Sequence, residues 1–213
     1  MKNQCIQEAD LLETLGFIVP LPAPFQKRVN EEILTESFNR KHILLWPGEI
    51  ARRLYFIQRG FLRAYFIDDN GKECTTWFMG QGDLMISVYS FFTQKPAYEY
   101  IEVIQACKLQ SLSWGELNAY YADFKEGNLL GRIVTQKYYL LSEERAIFLR
   151  TQSPEIRYDL LLEQHPEIEQ QTTQNNIASY LGISRETLSR IRRKKLEMCH
   201  QTQNRNESDP HFH

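Results

Sequence analysis

The sequence predicts an α+β protein in which an antiparallel β domain, one long helix and a helix-turn-helix domain follow one another over 213 residues. Short aromatic and β-branched runs, cut by turn residues, fill 43–112 and indicate the β domain. An amphipathic stretch at 126–150 indicates the long helix, and a glycine between two short helical patterns at 174–191 indicates the helix-turn-helix. We expect a β domain over 1–125, the long helix over 126–150, the helix-turn-helix domain over 151–200 and a polar tail over 201–213.

The segment before the β domain has a helical pattern with one break. Cys5–Leu15 and Gln26–Phe38 both show apolar residues at helical spacing. Pro20, Pro22 and Pro24 lie between them, and closely spaced prolines interrupt a helix. We therefore predict two helices in this segment.

The β domain has four clear strands and one strong turn signal. The strands are Leu54–Ile57, Phe61–Ile67, Thr75–Phe78 and Tyr100–Cys107. Asn70 and Gly71 lie between two of them and predict a type I′ hairpin, in which both central residues need positive φ. Alternating strands and turns of this kind are typical of a barrel or sandwich, and we predict a jelly roll.

The long helix over 126–150 is apolar on more of its surface than one packing contact needs. Its apolar residues form two tracks, one of Leu130, Ile133, Leu140 and Ile147 and another of Val134, Tyr138, Leu141 and Phe148. One track can pack on the β domain and the other on a second copy, which predicts a two-fold homodimer. A helix buried within a monomer is the alternative. Beyond it, Ser153 and Pro154 begin a further helix that runs toward Pro166.

The segment 174–191 has the layout of a helix-turn-helix. Ile177, Ala178 and Leu181 fall on one helical face, and Gly182 can end that helix in a left-handed conformation. Ser184 is placed to cap the next helix, because its hydroxyl can accept an unpaired backbone N–H. This motif places its second helix in the DNA major groove.

The second helix of this motif is strongly basic. From Ser184 to Lys195 there are six basic residues and one acid, Glu186, in a chain of formal net charge −2. A solvated helix face explains the apolar stripe but not this charge asymmetry. The asymmetry indicates an anion-binding surface, and double-stranded DNA is the partner that we expect.

Three segments, in this order of elements, resemble the Crp/Fnr family of bacterial transcription regulators. Ile183–Ile191 (ISRETLSRI) is similar to the recognition helix of that family. Leu54–Gly60 (LYFIQRG) and Gly80–Leu84 (GQGDL) resemble a strand and a turn of its cyclic-nucleotide-binding jelly roll. The resemblance implies a DNA-binding regulator that binds an inverted-repeat operator as a homodimer.

The resemblance implies that Arg185, Glu186 and Arg190 read base edges. Their chemistry agrees, because arginine donates twice to guanine and glutamate accepts from cytosine N4. Further candidates for contacts to the DNA backbone are Thr173, Gln174, Ser184, Thr187 and Ser189, with Arg192 and Arg193 adding positive charge.

The cyclic-nucleotide pattern is incomplete. Gly82-Asp83-Leu84 keeps its first part, but Pro96–Tyr100 has no arginine for the cyclic phosphate and places Glu99 there instead. A carboxylate beside a phosphate is repulsive. Tyr139 and Leu140 are bulky where the family has adenine-contacting hydroxyl residues. We therefore expect no tight binding of cyclic AMP.

Three roles remain open for the β domain. It can sense another small molecule in a pocket lined by Tyr98, Tyr100 and Tyr139; it can serve as a dimerisation scaffold without ligand; or it can bind a nucleotide weakly. The candidate ligand-binding residues are Gly82, Asp83, Leu84, Tyr98 and Tyr139. An alternative function is a small-molecule- or nucleotide-binding regulatory protein with a secondary role in DNA binding, which leaves the basic helix unexplained.

Composition argues against several other classes. Cys5, Cys74, Cys107 and Cys199 form no metal-binding pair, so we expect free thiols and no metal or cofactor. A catalytic metal in the barrel needs several histidines, and His42 alone lies near the β region, so we expect no enzyme. We find no signal peptide and no long apolar run, and expect a cytoplasmic protein without a membrane partner. The segment 197–213 is polar, and we expect a frayed tail in place of the family's β wing.

Overall fold

Residues 8–207 are described in the structure, a computed structural model, and they divide into two compact units between Arg145 and Ala146. We call the first the β unit and the second the helical unit. The strands are β1 (Leu34–Phe38), β2 (Ile43–Leu45), β3 (Arg53–Ile67), β4 (Glu73–Met79), β5 (Leu84–Met85) and β6 (Tyr100–Ser113). The described helices are α1 (Leu11–Ile18), α2 (Ala23–Glu32), α3 (Val88–Thr93), α4 (Trp114–Asp123), α5 (Lys125–Thr151), α6 (Pro154–Gln164), α7 (Ile168–Gln171), α8 (Gln174–Leu181) and α9 (Arg185–Glu207). The predicted α+β class with an antiparallel β domain is confirmed.

The sheet is built around two long strands, β3 and β6. The order of the main path is β1-β6-β3-β4, while β2 pairs with β6 and β5 pairs with β3. The two stretches predicted as separate strands, Leu54–Ile57 and Phe61–Ile67, are one strand whose register shifts at Gly60. Gly60 has a φ of 106°, and a Cβ there would lie 2.5 Å from the Cβ of Cys107. A side chain at this position would therefore clash with β6.

The turn between β3 and β4 differs from the predicted type I′ hairpin. Gly71 has a φ of 76°, but Asn70 is not among the described residues with positive φ. The N–H of Gly71 donates to the carbonyl of Asp68, and the Asp68 side chain accepts from the N–H groups of Asn70 and Lys72, each at 2.9 Å. The N–H of Asp68 also donates to the carbonyl of Lys72 at 2.9 Å, so three residues, 69–71, lie between the paired positions instead of the predicted two.

The helix predicted over Gln26–Phe38 is wrong in its second half. The helix α2 ends at Glu32, and Leu34–Phe38 forms the edge strand β1, paired antiparallel with β6. The unpaired edge of β6 supplies hydrogen-bond partners that override a weak helical preference. In the segment before it, α1 begins only at Leu11, where Asp10 caps the helix, and Cys5–Gln7 lie outside the described residues.

The structure bears out the expected long helix but not the expected frayed tail. The long helix predicted over 126–150 is present as α5. The tail predicted to fray from residue 197 is helical instead as far as Glu207, while 208–213 lie outside the described residues. No glycine or proline interrupts 183–207, and polar residues such as Glu, Gln and Arg are good helix formers. The described part of the chain contains no strand after α9 begins, and so no β wing.

Candidate nucleic-acid interface and small-molecule cavity

The helix pair α8 and α9 is defined by three local caps. Thr173 caps α8 by accepting the N–H of Asn176 at 3.2 Å. Gly182 ends that helix in the left-handed region with a φ of 67°. Ser184 caps α9 by accepting the N–H of Thr187 at 3.1 Å. The predicted helix, glycine turn and serine cap are therefore confirmed.

Apolar contacts join the two helices to the rest of the helical unit. Ile177, Leu181, Leu188 and Ile191 are buried. Arg157 of α6 donates from Nη1 to the carbonyl of Leu181 at 2.6 Å, so one of the last carbonyls of α8 has a partner. The turn before α9 is thereby held from both ends, by packing and by this hydrogen bond.

The outer face of α9 carries the predicted base-reading residues. Arg185, Glu186, Ser189 and Arg190 are exposed. Arg190 donates from Nη2 to the hydroxyl of Thr187 at 3.1 Å, which orients its guanidinium along the helix. The backbone N–H of Glu186 and the Ser184 hydroxyl donate to the Glu186 carboxylate and, with the neighbouring arginines, hold its pKa below the ordinary value. Glu186 is thus kept as an ionised acceptor.

The remaining basic residues of α9 fall into two groups. Arg192 is half-buried and paired with Glu169 of α7, with Nε to Oε1 at 2.6 Å and Nη2 to Oε2 at 3.1 Å. The Tyr158 hydroxyl donates to the same carboxylate, and Lys195 pairs with Asp159. The exposed cations of the segment are Arg185, Arg190, Arg193 and Lys194. Arg192 therefore has an acidic partner that sequence spacing did not reveal, while Arg193 pairs with the exposed Glu197, at 3.7 Å.

Thr173 and Gln174 lie at the first turn of α8. Thr173 is exposed and Gln174 is half-buried. The Thr173 oxygen accepts the capping hydrogen bond, but its hydroxyl proton and the free N–H groups of the first turn can still donate to an anion. At the first turn of α9, by contrast, the Ser184 hydroxyl and the N–H of Glu186 are hydrogen-bonded to the Glu186 carboxylate.

The β unit encloses a cavity of about 450 Å³, which we call the β-unit cavity. Its walls come from α1, α2, the sheet, α3, α4 and α5. Of the predicted ligand-binding residues, Leu84 and Tyr139 line it, whereas Gly82, Asp83 and Tyr98 do not. The five predicted ligand-binding residues therefore do not all line this cavity.

The residues outside the cavity have structural roles of their own. Gly82 has a φ of 86°, and its N–H donates to the carbonyl of Ile57. The Asp83 carboxylate accepts the N–H of Gly80 at 3.0 Å and closes the turn before β5. Tyr98 is 73% exposed. Tyr100 also lies outside the cavity, where its ring stacks on Tyr65 with centroids 4.8 Å apart.

Two polar residues of the cavity wall were not predicted as ligand contacts. The hydroxyl of Tyr138 accepts the N–H of Leu84 at 2.7 Å, and burial raises the pKa of Tyr138 to about 12. Burial also raises the pKa of the Glu99 carboxyl, and a hydrogen bond with the Ser87 hydroxyl offsets part of that rise. Tyr138 follows Leu130 and Val134 at intervals of four residues on α5, and this spacing could have indicated it.

Two kinds of feature, a metal-binding cluster and a membrane-spanning helix, are absent from the described residues. They contain no group of three or more His, Cys, Asp or Glu side chains able to hold a metal ion. Within the same part of the chain, no helix combines the length and the apolarity needed to span a bilayer.

Comparison with known proteins identifies the fold of this chain. Residues 35–124 match the family model described as the cyclic nucleotide-binding domain. Solved structures of Crp/Fnr regulators superpose on most of the chain. The chain has the Crp/Fnr fold. The resemblance inferred from the three sequence segments is confirmed at this level.

Three of these structures span most of the chain. The c-di-GMP-responsive global regulator CLP of Xanthomonas campestris is 18% identical over 84% of this chain and 93% of its own, with a TM-score of 0.65. FixK2 of Bradyrhizobium japonicum is 18% identical over 80% of this chain and 85% of its own, with a TM-score of 0.66. The Crp/Fnr regulator TTHA1359 of Thermus thermophilus is 20% identical over 74% and 83%, with a TM-score of 0.60. Among curated proteins, none matches the sequence significantly.

Proposed function

We propose that this chain is a Crp/Fnr-type transcription regulator that acts in the bacterial cytoplasm and binds an inverted-repeat DNA operator as a homodimer. One observation carries the proposal. The turn at Gly182 and the cap at Ser184 begin α9 so that Arg185, Glu186 and Arg190 share its exposed face. This is the end of a recognition helix that contacts base edges in helix-turn-helix proteins.

The exposed side chains suit distinct parts of a DNA site. Arg185 and Arg190 can each donate twice to a guanine, and the ionised Glu186 can accept from a cytosine amino group. Thr173 lies at a helix N-terminus that suits a phosphate oxygen, and we propose that Ser184 contacts the DNA backbone as well. Gln174, Thr187, Ser189 and Arg193 are the further backbone contacts that we propose. Arg192 adds less charge than sequence suggested, because Glu169 offsets it.

The apolar surface of α5 supports a dimer. Leu140 and Ile147, which are 60% and 56% exposed, lie seven residues apart and so share one face of the helix. Tyr139 beside them is also exposed. Large apolar side chains repeated on a helix face favour burial against a partner. A second copy of α5 is the partner that we propose.

Cyclic AMP is not the effector that we propose. Glu99 stands in the wall of the β-unit cavity, and none of the described residues that line it is Lys, Arg or His. A phosphate in this cavity would lose its hydration without gaining a cation. The apolar lining of the cavity favours binding of some other small molecule. We therefore retain small-molecule binding from the alternative function, in which DNA binding is secondary.

In vitro selection of DNA sites with the purified full chain tests the proposal. Selected sites should be inverted repeats whose half-site centres are about 10 bp apart or a multiple of it. Arg185→Ala should relax the preference at one position of each half-site and weaken specific binding by about 1–3 kcal/mol. Recovery of single, asymmetric sites would contradict the dimer.

Lys194→Ala is the matched control, because Lys194 is exposed on the same helix outside the base-reading set. It should weaken binding to all sequences alike and reduce the slope of log affinity against log salt by about one. If Arg185→Ala and Lys194→Ala have indistinguishable effects on specificity, the assigned roles are wrong.

A further inference from the structure

The β-unit cavity has the size and lining of a small-molecule site. Its volume of about 450 Å³ lies within the range of about 300–1,000 Å³ that is usual for such sites. Phe25, Leu54, Met85 and Leu130 are buried around it. Water gains few hydrogen bonds in such surroundings, so an apolar molecule could displace it easily.

Glu99 supplies the carboxyl of this largely apolar lining, which also contains hydroxyl-bearing polar side chains of Tyr, Thr and Ser. Among the described residues that line the cavity, it is the sole acid and none is Lys, Arg or His, and its carboxyl has a hydrogen bond with the Ser87 hydroxyl. Of the hydroxyl groups in this lining, that of Tyr138 already accepts the N–H of Leu84. A partly buried carboxylate is stabilised by a cation that also donates a hydrogen bond. A ligand is the available source of that cation.

The rim of the cavity points to the same chemistry. Tyr89 and Phe92 of α3 and Tyr139 of α5 line the cavity and are partly exposed to solvent. The faces of aromatic rings attract cations and are indifferent or unfavourable to anions. The aromatic part of the lining is therefore favourable for a positively charged head group and unfavourable for an anionic one.

We propose that the β-unit cavity binds a small molecule with an apolar body and one cationic, hydrogen-bond-donating head group, and that Glu99 receives the head group. This inference rests on the proposed function, since it names the effector class of that regulator. The cavity chemistry itself is independent of the DNA site. In this proposal, Glu99 determines the ligand specificity of the β unit.

Displacement of a fluorescent probe can test the ligand class. The probe is N-phenyl-1-naphthylamine, which is uncharged and apolar, and the competitors are decylamine, decanol and decanoate, which share one chain length. We expect decylamine to displace the probe best and decanoate worst. Decylamine should bind about ten- to a hundredfold more tightly than decanol, as expected of a hydrogen bond to a charged group.

Variants separate the head-group contact from the apolar contacts. Glu99→Gln should remove the preference for decylamine while leaving the affinity for decanol unchanged. Val134→Trp should weaken all three competitors, because Val134 lines the cavity. Gln136→Trp is the control, since Gln136 is exposed on the same helix and does not line the cavity.

The inference is overturned if decanoate displaces the probe as well as decylamine does, or if Glu99→Gln keeps the preference for the amine. If Glu99→Gln does not fold, the order of the three competitors on the unmodified chain decides. Binding to the selected DNA site is measured on the same preparations. Normal DNA binding with no amine preference rejects this inference alone, whereas an amine preference without DNA binding rejects the proposed function alone.

Discussion

The α8–α9 pair presents charged side chains to solvent, whereas the β-unit cavity encloses apolar walls around one carboxyl. The first region is positioned by contacts between near neighbours in sequence, such as Ser184 with Thr187. The second is assembled from residues as distant as Leu11 and Ser142. The exposed face that we propose for DNA reading is therefore set by local caps on a small core, while the β-unit cavity needs the packing of a whole unit.

Truncation of one buried leucine in each region should give the largest difference. Leu181 is 0% exposed and packed within the helical unit, while Leu130 is 4% exposed and borders the β-unit cavity. Leu181→Ala should lower the free energy of unfolding by about 2–5 kcal/mol. Leu130→Ala should fall at the lower end of that range, because part of its surface already faces empty space. Urea unfolding followed by circular dichroism measures both, and equal losses would contradict the difference in packing.

The glycine turn should give the next largest effect. Gly182 has a φ of 67°, and an added Cβ would meet its neighbours only at ordinary contact distance. The cost of Gly182→Ala is therefore backbone strain, about 1–2 kcal/mol, measured by thermal unfolding. Gly16→Ala is the control, since Gly16 lies in α1 without positive φ or close neighbours. It should be neutral or stabilising by about 0.5–1 kcal/mol; a loss as large as that of Gly182→Ala would exclude strain as the cause.

The Tyr138 hydroxyl should give a smaller effect that depends on pH. Tyr138→Phe removes the acceptor of the Leu84 N–H and should cost about 0.5–1.5 kcal/mol at neutral pH. Because burial raises the pKa of Tyr138 to about 12, folding favours its neutral form. That stabilisation is complete below about pH 10, the pKa of tyrosine in an unfolded chain, and is lost as pH rises toward 12.

Urea unfolding between pH 9 and 12 measures this dependence. Tyr138→Phe should show a shallower decline in stability than the unmodified chain, although Tyr65, whose pKa is also about 12, contributes to both. Tyr139→Phe, which changes an exposed ring on the same helix, is the matched control and should change neither quantity. An unchanged decline in Tyr138→Phe would show that its hydroxyl does not titrate as described.

Several features that depend on residues close together in the sequence were predicted correctly, whereas features that depend on distant segments were missed. The caps at Ser153 and Ser184 lie within three residues of the N–H groups they accept, so their spacing is visible in the sequence. The strand β1 was missed because its pairing partner lies about seventy residues away in β6. The extension of α9 was missed for another reason. Polar composition was taken as disorder, although the segment contains no helix breaker.

The residues of the cavity wall were anticipated least well. Tyr98 and Asp83 have the residue types of a binding site, but the first is exposed and the second closes a turn. Tyr138 and Glu99 line the cavity, yet sequence assigned the former to packing and the latter to repulsion of phosphate. Whether a residue lines the cavity depends on how several helices and strands pack together. A local sequence pattern therefore does not predict it.

The sequence by itself determined the helix-turn-helix, the long helix α5 and the class of the fold, because periodicity, caps and glycine turns act over a few residues. Only the tertiary structure decided that Arg192 is paired with Glu169, that Gly60 must lie against Cys107, and that Glu99 lines an apolar cavity. These contacts join segments far apart in the chain, and the free energy that holds them comes from packing the units as a whole.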